Sequence, residues 1–141
     1  MHTVFVYGTL KRGFRLHHYM KGCDFLGEGF LDGYRLHRIT WYPAIRPAPE
    51  SRVFGELFQV AEKHLDILDE VEDRGILYER YTETVHLLTN PEVHADSQIL
   101  AAMTANDPQI RSLSAFVYVY MHPLDGGVIE DGRFTLAHGQ D

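Results

Sequence analysis

Several things are scarce in this sequence, and each shortage removes a class of protein. One cysteine, Cys23, occurs in 141 residues. No internal disulfide framework can form, and a reducing cytoplasm is the expected setting. No apolar run approaches the roughly 18 residues that a membrane-spanning helix needs. The opening MHTVFVYGTL lacks the basic-then-apolar order of a secretory signal. Basic residues are outnumbered, 13 Lys and Arg against 20 Asp and Glu, for a net charge of −7. A nucleic-acid binder presents a basic face, so that partner is not expected. The nine histidines spell no metal motif: HExxH and CxxC are missing, and adjacent His17 and His18 would diverge on a helix. No metal or cofactor site is expected. The nucleophile elbow GxSxG, the dinucleotide motif GxGxxG and the P-loop are also missing, and nothing marks a base beside Cys23. What is left is a soluble domain with a small-molecule partner.

Apolar residues make up 45% and charged residues 23%, close to globular averages, so residues 1–141 read as one domain. Thr3–Tyr7 is β-branched and aromatic throughout and predicts a strand buried on both faces. Leu16–Met20 suits one or two helical turns. From Cys23 to Leu36 the apolar pattern is broken by Gly27, Gly29 and Gly33, the signature of bulges in a coiled hairpin. Trp41–Ile45 reads as a short edge strand, Pro47–Ser51 as a loop, and Val53–Val60 as a strand. Ala61–Asp73 is the clearest helix, with Gly75 where it should stop. Tyr78–Leu88 and Ala115–Met121 predict strands. The segment between them, Asn90–Leu113, reads as an excursion with a short helix over Ser97–Ala105, either peripheral to the chemistry or laid over a pocket by Ile99, Leu100 and Met103. The tail looks irregular. Many strands, one clear helix and no βαβ rhythm predict an α+β domain on a small mixed barrel or curled sheet.

The helix carries the first chemical signal. With Leu65 set at zero on a helical wheel, Leu68 and Val71 define the buried stripe, and Glu72 falls between Leu65 and Leu68. The other acids, Glu62, Asp66, Asp69, Glu70 and Asp73, fall on the flank and solvent side. A carboxylate pointing where apolar residues point is costly to ionise, so its pKa rises into the range useful for proton transfer. The alternative is that Glu72, in the last turn, swings out to water. The second signal is Tyr7-Gly8-Thr9-Leu10. A buried strand ending in Gly-Thr presents consecutive backbone N–H groups that can hold a carboxylate, or it is an ordinary turn.

These pieces resemble the gamma-glutamylcyclotransferase-like family, in particular its gamma-glutamylamine branch and small bacterial relatives. Val4–Gly13 is similar to the family's Tyr-Gly-Ser/Thr-Leu signature. Leu65–Arg80, LDILDEVEDRGILYER, is similar to its acidic helix and the Leu-Tyr-x-Arg strand start. Tyr42-Pro43, Val53–Phe58, Phe116–Tyr120 and Val128–Phe134 match more weakly, with Phe134 where the family has Trp. Asp73-Arg74-Gly75 departs from relatives that carry a proline after the acid. The resemblance implies a small mixed barrel with flanking helices, no cofactor and no metal. It implies an enzyme of carbon–nitrogen lyase or acyltransferase type that releases 5-oxoproline and an amine from a gamma-glutamyl amide. By the resemblance Glu72 is the catalytic acid/base and Tyr7, Gly8, Thr9 and Leu10 form the substrate loop. Tyr78 and Tyr118 are candidates to line the pocket, or simply core aromatics. The rival expectation is a non-catalytic binding domain that retains the pocket; retention of Glu72 speaks against it.

Overall fold

The structure is a computed structural model that describes residues 1–89 and 110–138. It contains β1 (His2–Val6), a 3₁₀ turn (His17–Met20), β2 (Asp24–Arg38), β3 (Pro43–Val60), α1 (Glu62–Val71), β4 (Tyr78–Leu88) and β5 (Ile110–Tyr120). The five strands close into a barrel in the order β1-β3-β2-β4-β5. The sheet is mixed. β1 runs parallel to β5 where the ring closes, at Val4 and Phe116, and the other neighbours are antiparallel. The expected mixed barrel is therefore the observed fold, flanked among the described residues by one α-helix and one 3₁₀ turn.

β1 shows why its sequence is apolar on both faces. Phe5 and Tyr7 belong to a cluster to which all five strands contribute, the barrel interior. Val4 and Val6 belong to a second cluster that includes Leu65 and Leu68 of α1. β5 repeats the arrangement: Ala115, Val117 and Val119 face the interior, while Phe116, Tyr118 and Tyr120 join the helix layer. A strand between two apolar layers has no polar face to show, so its alternation disappears from the sequence.

Three expectations about the hairpin are corrected. Trp41 and Tyr42 form the β2–β3 turn, where the Ile39 amide donates to the Tyr42 carbonyl, and Pro43–Ile45 begin a long β3 paired to β2 rather than a separate edge strand. Pro43 opens that strand, one of the places where a missing amide is harmless. Pro47–Ser51 is not a loop. It lies within β3 as a bulge, because pairing skips from Asp32–Arg52 to Tyr34–Pro47. Buried Ala44, Ile45 and Ala48 hold the chain against the barrel there. The expected bulges fall near Gly27 and at Gly33. Gly29 has another reason: a Cβ there would lie 2.5 Å from the His86 carbonyl oxygen, where β2 pairs with β4 through Gly29–Leu87 and Phe30–His86.

β5 begins at Ile110, with Ile110 opposite Leu88. Ile110–Leu113 therefore belong to a strand and not to the excursion. The rest of that segment, including the expected Ser97–Ala105 helix, lies outside the described residues. The tail is irregular as expected, yet it is part of the core. The Ile129 amide donates to Leu36 and the Phe54 amide to the Gly132 carbonyl, and Ile129 and Phe134 enter the barrel interior cluster. The Lys11 ammonium donates to the Phe134 carbonyl at 2.6 Å.

Phe134 is fully buried, and removing such a ring leaves a cavity that the strands cannot close. Phe134→Ala is expected to cost about 3–5 kcal/mol, read as a lower denaturant midpoint. A loss under about 1 kcal/mol, within the scatter of ordinary surface substitutions, would show that the tail does not complete the core.

Candidate active site

Where β1 ends, the chain turns through Gly8–Leu10, with the Lys11 amide donating to the Gly8 carbonyl and the Leu16 amide to the Thr9 carbonyl. Gly8, Thr9 and Leu10 are buried, and among the described residues their own amides donate to no backbone acceptor. Gly8 does not have a positive φ, so backbone strain is not the reason for glycine there. Contact is: a Cβ would fall 2.2 Å from Cγ of Pro43.

The second wall is the end of α1. The helix stops at Val71, two residues earlier than the sequence pattern suggests, and Glu72 is its C-cap. The Asp73 amide donates to the Glu70 carbonyl at 3.1 Å and the Arg74 amide to the Asp69 carbonyl at 2.9 Å. That pair of bonds is a Schellman motif, which needs a left-handed residue at the next position. Asp73 supplies it with φ 48°, and Asp is among the few non-glycine residues that tolerate it. The cap fixes the direction of Glu72 and decides the alternative left open by the sequence: Glu72 lines the cavity with the Tyr7–Leu10 loop. Its side chain is part-buried, with the carboxyl enclosed. Burial, and then the neighbouring Asp73 charge, push its pKa up to about 7.

The cavity holds about 200 Å³. All seven residues singled out from the sequence line it: Tyr7, Gly8, Thr9, Leu10, Glu72, Tyr78 and Tyr118. The three phenols are held by fixed hydrogen bonds. Tyr7 donates to the Tyr118 carbonyl at 2.7 Å, Tyr78 to the Pro43 carbonyl at 2.8 Å, and Tyr118 to Asp69 Oδ1 at 2.7 Å. Burial raises the pKa of each. Glu72 adds to the rise at Tyr7 after burial and Tyr78, at Tyr78 directly after burial, and at Tyr118 after burial and the Asp69 bond. Glu72 is thus the lining group that titrates near neutrality. Among the described residues no cluster of three His, Cys, Asp or Glu side chains is placed to hold a metal, and no helix is long and apolar enough to cross a membrane.

Two features escaped the sequence reading. Asp69, grouped with the acids of the flank and solvent side, is a hub: besides Tyr118 it meets Arg74 Nη1 at 3.1 Å and Arg80 Nε at 3.3 Å. Only its 40° offset from Leu65 on the wheel hinted at this. The lining also includes Leu16, Trp41, Tyr42, Val71 and Leu77, from segments whose patterns carry no chemical mark.

With this geometry in view, the comparisons with known proteins are decisive. The pattern of the family described as gamma-glutamyl cyclotransferase, AIG2-like, matches residues 4–136. The chain belongs to that family. A gamma-glutamylcyclotransferase family protein of Escherichia coli K12, YtfP, is 29% identical over 130 residues, covering 92% of each chain. The crystal structure of a mouse AIG2-like protein superposes with a TM-score of 0.65 at 28% identity, over 84% of this chain and 76% of that one. An uncharacterized Pyrococcus horikoshii protein shares the fold, with a TM-score of 0.68 at 24% identity over 95% of this chain and 90% of that one. The two segments that carry the resemblance, Val4–Gly13 and Leu65–Arg80, both contribute to the lining of this cavity.

A carboxyl with a raised pKa makes stability depend on pH with a definite sign. The folded state holds the Glu72 proton more tightly than the unfolded state. Its contribution is complete below the ordinary carboxyl range and is lost as pH rises through about 7. Above that, the fold carries a buried charge. Glu72→Gln is therefore expected to gain about 1–3 kcal/mol on the wild type between about pH 5 and about pH 8.5, measured by denaturant unfolding. Parallel stability curves for the two proteins would place the Glu72 carboxyl in water.

Proposed function

We propose that the protein converts a gamma-glutamyl amide into 5-oxoproline and a free amine, and that residues 1–141 act as one catalytic domain. The observation that supports this reading is one carboxyl, raised to about 7, facing the same cavity as the buried Gly8–Leu10 loop. The reaction is internal to the substrate: the α-nitrogen attacks the γ-carbonyl carbon, the ring C–N bond forms, and the bond to the departing nitrogen breaks. No water, cofactor or metal is consumed.

Two requirements follow. The flexible glutamyl chain must be held curled so that nitrogen and carbon meet, an entropic barrier that binding removes. The amides of Gly8, Thr9 and Leu10 anchor the α-carboxylate. Protons must also move. The attacking nitrogen starts with three and keeps one as the lactam N–H; the other two end on the departing amine, which leaves as an ammonium. Ionised Glu72 accepts a proton from the α-ammonium and returns it to the leaving nitrogen, ending each cycle ionised. A group with a pKa near 7 serves both directions at neutral pH, which an ordinary carboxylate does not. A cytoplasmic setting, suggested by the single cysteine, suits this chemistry.

Glu72→Gln keeps the shape and removes the proton carrier, so it is expected to fold and to lose about 10²–10⁴-fold in turnover. Retention of more than about a tenth of wild-type turnover would take Glu72 out of the reaction. In the wild type, kcat/KM is expected to rise about tenfold per pH unit up to an inflection near pH 7, where the free enzyme's Glu72 ionises, and then to level. An inflection near the ordinary carboxyl range would separate the base from this residue.

Gly8→Val tests the loop. Its side chain meets the Pro43 ring and must push the Gly8–Leu10 amides out of position. A KM raised about tenfold or more is expected, since small displacements of positioning groups cost that much. A folded variant with an unchanged KM would remove the loop from substrate binding.

A further inference from the structure

We infer that the amine released by this enzyme is apolar and ring-bearing, so that the substrate class is a gamma-glutamyl amide of an arylalkylamine. The inference rests on the proposed cyclisation and specifies its substrate.

Burial sorts the cavity lining into a floor and a rim. The floor is the buried Tyr7–Leu10 loop with Pro43, Tyr78 and Tyr118; the rim is half-exposed Leu16, Trp41, Tyr42, Val71 and Leu77. A gamma-glutamyl amide is polar at one end only. Its carboxylate and ammonium belong with the loop amides and Glu72. The rest of the molecule, beyond the bond that breaks, extends toward the opening and meets the rim.

Among the described residues that rim is aromatic and aliphatic. Its residues come from four separate segments: the stretch before the 3₁₀ turn, the β2–β3 turn, the end of α1 and the α1–β4 connection. Among the described lining residues the one charged side chain is Glu72. An amine bearing its own carboxylate would bring that charge into a cavity that already holds a carboxylate. A second ammonium would lose its water against apolar walls. A ring gains from the same walls what charged groups lose.

The rim also offers a prepared flat surface. The Trp41 ring meets the Tyr42 ring edge-on, with centroids 5.3 Å apart, and the Arg15 guanidinium stacks over the indole at 4.4 Å. An indole held by both neighbours is fixed before ligand arrives, and aromatic pairs add stabilisation beyond area alone.

The test compares four substrates by 5-oxoproline release: the gamma-glutamyl amides of benzylamine and methylamine, gamma-glutamylglycine, and the amide formed with the ε-amine of lysine. The benzylamide is expected to exceed each of the others in kcat/KM by about tenfold or more. Trp41→Ala is expected to lower the benzylamide-to-methylamide ratio toward unity, and Trp41→Phe to restore most of it. Equal or faster turnover of the glycine, lysine or methylamine compound by the wild-type enzyme would overturn the assigned amine class while leaving the cyclisation standing. A carboxylate preference would then point to Arg15 as its partner. Absence of 5-oxoproline from all four would overturn the cyclisation itself, and this inference with it.

Discussion

The two-sided burial of β1 is the constraint on which the rest of the structure depends. The strand is five residues long, yet it pairs with β3 over its whole length and closes the ring against β5. Phe5, with Tyr7 just past the strand's end, fills the barrel; Val4 and Val6 are roofed by α1. Because α1 is pressed on the outer face of β1, the end of the helix and the end of the strand must open onto one place. A cavity between a strand-terminal loop and a helix C-cap is a consequence of that packing. Loosening either layer would separate Glu72 from the loop amides.

Placing Glu72 there works against stability, since a carboxyl out of water resists ionisation. The surrounding structure offsets the strain locally. The Schellman bonds and the left-handed Asp73 lock the backbone on both sides of Glu72. Arg74 then spans Asp69 Oδ2 at 3.1 Å and Glu79 Oε1 at 2.7 Å. Arg74 is well exposed, so this clamp contributes little energy by itself. Its contribution is geometric: it ties the turn after α1 to the start of β4, which carries Tyr78 into the cavity. Asp69 extends the same tie to Tyr118 on β5. The helix end, β4 and β5 are thereby held in one arrangement around a residue that each alone would leave free to turn.

Much of this was legible in the residues, and the failures have physical causes. β1 was legible because burial on both faces leaves a mark in the sequence, and β4 because it carries the β-branched Thr82, Thr84 and Val85. Glu72 was legible because a carboxylate among Leu65, Leu68 and Val71 contradicts its surroundings, and such contradictions concentrate at functional sites. The Pro47–Ser51 segment was misread because its two exposed prolines look like loop punctuation, whereas the long neighbour β2 supplies pairing on either side of a bulge. The tail was read correctly as irregular, but its place in the core left no mark: Ile129 and Phe134 enter the core singly, with no period to announce them. Asp69 was missed because its role depends on Arg80, on the strand that follows the helix, and on Tyr118, brought to it from β5 far along the chain. The aromatic rim of Trp41 and Tyr42 is a tertiary product in the same way.

The hydrogen bonding of the three phenols bears on how the proposed reaction would manage its charges. Tyr7, Tyr78 and Tyr118 each spend their hydroxyl proton on an acceptor within the protein. Those protons are committed to holding the walls in position, so the tyrosines shape the cavity and are poor candidates to meet a developing oxyanion. Backbone amides of the loop after β1 remain in the lining as donors. Amides are fixed by the chain, keep their protons at every pH at which the protein is folded, and need no reorganisation as charge develops. On this reading the labour is divided by chemical type: backbone dipoles meet negative charge, phenol rings set the shape, and one carboxyl moves protons. Such a division leaves a single ionisation in the neutral range: among the four tyrosines and one glutamate that line the cavity, it is Glu72 whose pKa is brought to about 7.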